Sequence, residues 1–395
     1  MKASQGFKSR ELEHTMGQKQ PQKYKGSSQG PFCIWQGMDF PNWVRMLRTG
    51  PPLHWSQSLR LALVTGLSIN NSIMGLAERL IYGGRVRRQE LVAPPVFILG
   101  HWRSGTTLLH NLMSLDPQFT TSNLYEVLAP HHFLLTEAVT TRLTAAFLPK
   151  TRPMDNMEIS WDSPQEDETA LLNLTTLSPY QMCAHHNNAE KYDRYLDFQN
   201  VTPREKEIWK KAFLTFLKKI TVRDHKRILL KSPTHSFRIR ILLEMFPEAK
   251  FVNIVRNPYA VYTSAVHLRK TMFSENSLSR PNFVGVEEDV FALYSRLFHT
   301  YDADKKLLHP GQLHEMKFED LEQDPLGEMR KVYETLGLNG FPAVETAITA
   351  QLDSLRKYRK NEYDLEESLK RQIYERWRPA FERYGYPSGF LKAVG

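Results

Sequence analysis

Cysteine is nearly absent from this 395-residue chain: Cys33 and Cys183 are the only two. A disulfide framework is thereby excluded, and the composition fits a reducing compartment, the cytoplasm. Neither cysteine has a His or Cys neighbour at ligand spacing, and no His, Cys or carboxylate cluster elsewhere has it, so no metal is expected. Long hydrophobic runs are also missing. The most apolar stretch, Leu59 to Ile81, is interrupted by Arg60, Asn70, Asn71, Glu78 and Arg79, which argues against a bilayer-spanning helix. Residues 1–30 are rich in Gln, Lys, Ser and Gly and hold no apolar h-region, so they read as a disordered basic tail and not as a secretory signal. Negative charge is in deficit: 43 Asp plus Glu against 52 Lys plus Arg leave a formal charge of +9, which favours anionic ligands. No helix-turn-helix, zinc-finger or RNA-recognition signature accompanies that charge, so nucleic acid is not the expected partner.

What the chain does have is a glycine loop. Residues 96 to 107, Val-Phe-Ile-Leu-Gly-His-Trp-Arg-Ser-Gly-Thr-Thr, run from a strand through glycines into a helix. Gly100 and Gly105 keep the Walker spacing, but Thr106 stands where the lysine belongs, and the cation has moved inside the loop to Arg103. The backbone N–H groups of such a loop, with the helix N-terminus it opens, cradle a phosphate or sulfate. Without the lysine that reaches the β- and γ-phosphates, the loop suits a single phosphate better than a triphosphate with magnesium. The bland alternative is an ordinary strand, turn and helix. Farther on, Lys250 to Val255 reads as a buried strand, followed at once by Arg256-Asn257-Pro258, with Ser264 eight residues after the arginine. An arginine at a strand end and a serine two turns into the next helix can converge on one phosphate.

The two motifs together, about 150 residues apart, resemble the sulfotransferase superfamily, and bacterial-type members more than the cytosolic animal enzymes, which carry lysine where Arg103 stands. The resemblance runs through residues 95 to 385. It implies 3′-phosphoadenosine-5′-phosphosulfate (PAPS) as donor, no metal, and a hydroxyl-bearing acceptor. By the same resemblance Arg103, Ser104, Gly105, Thr106 and Thr107 hold the 5′-phosphosulfate, and Arg256 and Ser264 hold the 3′-phosphate. Arg359 and Lys360, in a basic stretch like the one that ends bacterial members, are expected to close over the 3′-phosphate.

Sulfuryl transfer needs a base for the acceptor proton and positive charge around the moving group. Glu126, shortly after the second expected strand, lies where several sulfotransferase groups place a catalytic glutamate. Its bland reading is a solvated glutamate at a helix start. Glu168 is a secondary candidate, whereas Ser163, Pro164 and Glu166 fit a capping box that would explain Glu166 structurally. In Lys231-Ser232-Pro233-Thr234-His235, Lys231 is expected to touch the sulfuryl group. His235 is the alternative base by likeness to a Lys-Thr-His sequence of animal enzymes, although the spacing differs by two residues.

From Pro94 onward, strand and helix patterns alternate. Strands are expected at 96–99, 119–122, 227–230, 250–255 and 313–317, and helices at 107–115, 204–220, 235–245 and 287–308. That is an α/β fold: an open parallel sheet flanked by helices, of the P-loop nucleotide-binding kind, with its ligand crevice at the carboxyl ends of the strands. Residues 1–30 form the tail, 31–94 a helical extension, and 95–395 the sulfotransferase domain. The extension suits packing on that domain, or peripheral contact with a membrane through 59–81. The competing readings of function are a P-loop nucleotide kinase and a non-catalytic nucleotide-binding, membrane-associated protein.

Overall fold

A computed structural model describes residues 33–50, 53–148, 159–279, 283–356 and 365–389. Five strands, β1 (Val96–Leu99), β2 (Phe119–Thr120), β3 (Arg227–Lys231), β4 (Lys250–Val255) and β5 (Leu313–Lys317), make one sheet in the order β2-β3-β1-β4-β5. Every pairing is parallel. The all-parallel arrangement follows from the helical crossovers between strands, which also cover both faces. Side chains divide by the two-residue period: Phe97, Leu99 and Phe251 enter the core on one face, while Val96, Ile98, Val252 and Ile254 enter the core on the other.

The expected elements form with small shifts. Helix Pro203–Arg223 opens with a capping box from Thr202 to Glu205 and with Pro203 in the first turn. The segment expected as one helix over 235–245 divides into a 3₁₀ turn, Pro233–Phe237, and a helix, Ile239–Met245. Arg238 stands at the break, with φ −121°, because its side chain is drawn inward to other partners.

The N-terminal extension shares the main core. Trp35 and Trp43 stack at 5.3 Å and belong to the same buried cluster as Phe97 and Leu99. Asn173 Nδ2 donates to the Ile34 carbonyl at 2.9 Å, and Lys219 pairs with Glu78 at 2.6 Å, both residues being buried. Helix Ser58–Arg88 therefore lies against helix Pro203–Arg223 along one side.

Candidate active site

The glycine loop joins β1 to helix Thr106–Met113 at the centre of the sheet. Its shape demands glycine: Gly100 has φ +146° and Gly105 φ +101°, and a Cβ at Gly105 would collide with the ring of Phe318. Arg103 itself has φ +72°, a left-handed conformation uncommon for a side-chain-bearing residue and one that clusters at functional sites. The Gly100 N–H donates to Ser236 Oγ at 2.8 Å, and Ser104 Oγ donates to the His101 carbonyl at 2.8 Å, so the Ser104 hydroxyl closes the loop on itself. Gly105, at the N-cap, offers no side chain to the first-turn amides of Thr106 and Thr107. Those amides and the positive end of the helix are the physical basis of an anion cradle.

On the β4 side the two sequence motifs meet. Arg103 Nε donates to Ser264 Oγ at 2.7 Å, and Arg256 Nη1 donates to the Arg103 carbonyl at 3.2 Å. The Arg256 guanidinium lies 4.4 Å over the Phe318 ring, the same ring that underlies Gly105. Phe318 is thus a shelf for both parts of the cradle, and nothing in its sequence neighbourhood marks it. Arg359 and Lys360 lie outside the described residues.

On the β3 side two segments about 65 residues apart complement each other. Glu166 Oε1 pairs with Lys231 Nζ at 2.8 Å; Asp167 pairs with His235 Nε2 at 2.9 Å and accepts from Ser232 Oγ at 2.9 Å; Glu168 pairs with Arg238 and accepts from Thr234 Oγ1 at 2.8 Å. Three of the expectations are corrected here. The helix begins at Asp167 and Glu166 has no capping bond, while Ser163 Oγ accepts from Ser160 N–H, so the capping box does not form. The chain over 163–165 is instead held to the segment after β2, through a bridge between Asn123 and Pro164 and the Gln165 N–H to Ser122 carbonyl bond of 2.8 Å. Glu168 and His235 are each 0% exposed, Glu168 engaged by Arg238 and His235 by Asp167, which leaves them no access to an acceptor hydroxyl. The Asp167 carboxyl is buried, which alone would raise it, yet the adjoining His235 and the hydrogen bonds bring it below the ordinary carboxylate range.

Glu166 keeps a side chain 23% exposed beside Lys231. It also accepts the hydroxyl proton of Tyr180, whose oxygen receives Trp102 Nε1 at 3.1 Å, next to Arg103 in the loop. Burial, with the Glu166 charge adding to it, holds the Tyr180 hydroxyl well above its ordinary range, so it stays a donor. The expected capping role had hidden this residue. The match of Glu-Asp-Glu at 166–168 to Lys231, Ser232, Thr234, His235 and Arg238 is the signal that could have shown it.

Glu126 is neither solvated nor exposed. It closes a capping box with Asn123, whose N–H reaches Glu126 Oε2 at 2.9 Å, and it faces Arg223 Nη1 at 2.8 Å while 0% exposed. Burial pushes its carboxyl up to about 8 against the opposing pull of Arg223. Arg223, Asn123 and Thr107 line a cavity of about 510 Å³ on the β2 side of the loop, between helix Thr106–Met113 and the segment 162–165. Phe133 and Phe273 are packed in the core. Among the described residues no group of three or more His, Cys, Asp or Glu side chains could hold a metal ion.

A parallel α/β sheet whose central strand feeds a strained glycine loop, with two arginines on one side of it and a lysine-carboxylate pair on the other, defines an anion-binding group-transfer protein. The chain belongs to the sulfotransferase family, which it matches over residues 94–343. A relative from Mycobacterium bovis, omega-hydroxy-beta-dihydromenaquinone-9 sulfotransferase Stf3, is 40% identical over 369 residues, covering 92% of this chain and 95% of its own length. The protein of the same name from Mycobacterium tuberculosis matches equally. Among solved structures, sulfotransferase STF9 from Mycobacterium avium gives a TM-score of 0.64 at 18% identity, covering 88% of this chain and 92% of that one. STF1 from Mycobacterium tuberculosis H37Rv gives 0.60 at 19%, covering 86% and 90%. At those identities the structures establish the fold.

Proposed function

We propose that this sulfotransferase takes the sulfuryl group from PAPS and delivers it to the hydroxyl of an amphiphilic acceptor. The observation that carries the donor assignment is the contact of Arg103 with Ser264 and Arg256, which joins the glycine loop and the β4 arginine into one anion site. Bound PAPS supplies an electrophilic sulfur with a bisphosphate leaving group. Two neighbouring cationic positions within that site, Arg103 in the loop and Arg256 after β4, suit the two phosphate ends of that donor.

In this reading the acceptor enters from the β3 and β2 side. Lys231 neutralises charge on the transferring group, and Glu166, beside it, takes the acceptor proton. A second reading assigns the base to Glu126, favoured by a carboxyl that titrates at about 8, near the ideal for proton transfer. Its enclosure behind Arg223 weighs for Glu166. The acceptor named for the relative of 40% identity is an omega-hydroxylated dihydromenaquinone; an alcohol of that amphiphilic class, met at the cytoplasmic side of a membrane, suits this chain.

Titration calorimetry in chelator checks the donor site. Binding of 3′-phosphoadenosine-5′-phosphate without metal, with ATP much weaker, is the expected outcome. A preference for ATP with magnesium would transfer the assignment to a nucleotide kinase, and tight bisphosphate binding with no turnover of any long-chain alcohol would leave a binding protein.

A further inference from the structure

Helix Ser58–Arg88 is inverted in polarity. Its buried positions are Ser68, Asn71, Gly75 and Glu78 with Val64 and Val86, and Leu61 packs half-buried against the core. Asn71 Nδ2 donates to the carbonyls of Gln36 and Met38 at 3.2 and 3.0 Å, and Glu78 holds Lys219, so polar contacts attach the helix to the domain. The outer side is apolar: Leu59, Leu63, Ile73, Leu76, Leu80 and Ile81 are between 56 and 78% exposed. At 100° per residue they occupy the half-cylinder opposite Ser68 and Gly75. Neighbouring helix Phe133–Thr144 extends the surface with Val139 and Leu143, 61 and 71% exposed. Isolated exposed leucines need no explanation, but a stripe that runs from Leu59 to Ile81 does.

Charge selects the occupant. Arg79, Arg85, Arg87 and Arg88 are exposed on the same helix, Arg87 and Arg88 on its apolar side and Arg85 at the edge with a bond to the Val222 carbonyl, and its single acidic residue, Glu78, is buried and paired. The outer surface therefore offers leucine, isoleucine and arginine with no carboxylate. A second copy would bring the same arginines and no counter-charge from this helix, whereas an anionic lipid surface supplies both hydrocarbon and negative charge. Trp55, 79% exposed just before the helix, adds a ring of the type that settles at a headgroup boundary. No described helix is long and apolar enough to cross a membrane, so the geometry is one of lying on the surface.

We propose that this face docks on an anionic bilayer with the helix axis in the membrane plane. The docking stands on the helix alone; its use, meeting an amphiphilic acceptor where that acceptor resides, rests on the function proposed above. Cosedimentation of the full chain with vesicles of phosphatidylcholine, alone or mixed with phosphatidylglycerol, tests it. The chain is expected to bind the mixed vesicles, less so as salt rises. The triple variant Leu63→Gln/Ile73→Gln/Leu80→Gln should lose this binding. Arg85→Gln/Arg87→Gln/Arg88→Gln should weaken it about a hundredfold, from roughly a factor of five per arginine. All six positions are exposed or edge sites, and unchanged melting and unchanged bisphosphate binding would show intact variants. No association of the parent chain, binding that survives both triples, or a dimer that the leucine triple dissociates would each overturn the proposal. Bisphosphate binding by the parent chain is read separately, so a failed donor assignment and a failed docking face give different results.

Discussion

The two sides of the glycine loop are built by opposite means. On the β4 side, Arg103, Arg256 and Ser264 come from two motifs that are each continuous in sequence, and short contacts of 2.7 and 3.2 Å bring them together. On the β3 side, Glu166, Asp167 and Glu168 mean little alone and become intelligible only against Lys231, His235 and Arg238. The inner two pairs are sealed, with no member more than 1% exposed, whereas the outermost pair is the open one, its Glu166 side chain being 23% exposed beside a buried Lys231. A buried ion pair is weak evidence of stabilisation, because desolvation offsets attraction, but removal of one partner is costly. The sealed pairs therefore fix position, and the open pair is the one to which the proposed function gives the chemistry.

The largest effect that separates the two sides is on turnover. Glu166→Gln should reduce kcat by about 10²- to 10⁴-fold, the range for loss of a positioned base, while bisphosphate affinity stays as it was. The same change at Glu126 should cost far less if Glu166 is the base, and a reversed ranking of the two glutamines would hand the role to Glu126. Next in size is Arg256→Ala. Loss of charge-assisted contacts worth roughly 1.5–3 kcal/mol corresponds to about ten- to a hundredfold weaker bisphosphate binding. Its expected mark is a raised donor KM with kcat little changed; an equal loss in kcat would mean that the β4 side is not a pure binding element.

Legibility in the sequence follows the same division. The positions of β1, β3 and β4 could be read because each carries a short apolar run, and the loop could be read because its glycines are required at fixed spacing. Glu166 was misread because local chemistry, Ser163-Pro164 ahead of an acidic run, imitates a helix start, and a long-range partner, Lys231, won instead. Phe318 and Arg223 were invisible for a similar reason: each acts at a place that only the sheet order brings near, one beneath Gly105 and Arg256, the other at a cavity wall. The inverted polarity of helix Ser58–Arg88 gave a weak periodic signal, since buried Ser68, Asn71 and Glu78 stand where apolar residues are the rule.

A smaller effect is expected in stability. With its carboxyl raised from the ordinary 4.5 to about 8, Glu126 holds a proton in the folded chain across a window in which the unfolded chain has released it. The folded state binds more protons there, so stability should fall as pH rises through that window. Glu126→Gln removes the titration. Its melting temperature should decline less than that of the parent between the two ends of the window, by roughly a few degrees. Parallel pH profiles for the two chains would show that Arg223 keeps Glu126 ionised throughout.

The smallest expected effect probes the contact between the two sides. Tyr180 is the only described side chain that bonds both the loop, through Trp102 Nε1, and the open pair, through Glu166. Tyr180→Phe keeps the ring and deletes that junction, a net change of about 0.5–1.5 kcal/mol for a hydrogen bond. If the hydroxyl orients Glu166, kcat should drop roughly two- to tenfold by the same energy, with bisphosphate affinity unchanged. If the hydroxyl serves only packing, turnover should hold steady while the melting temperature falls. The kcat, affinity and melting readouts together tell whether the locally encoded side and the assembled side work as one site.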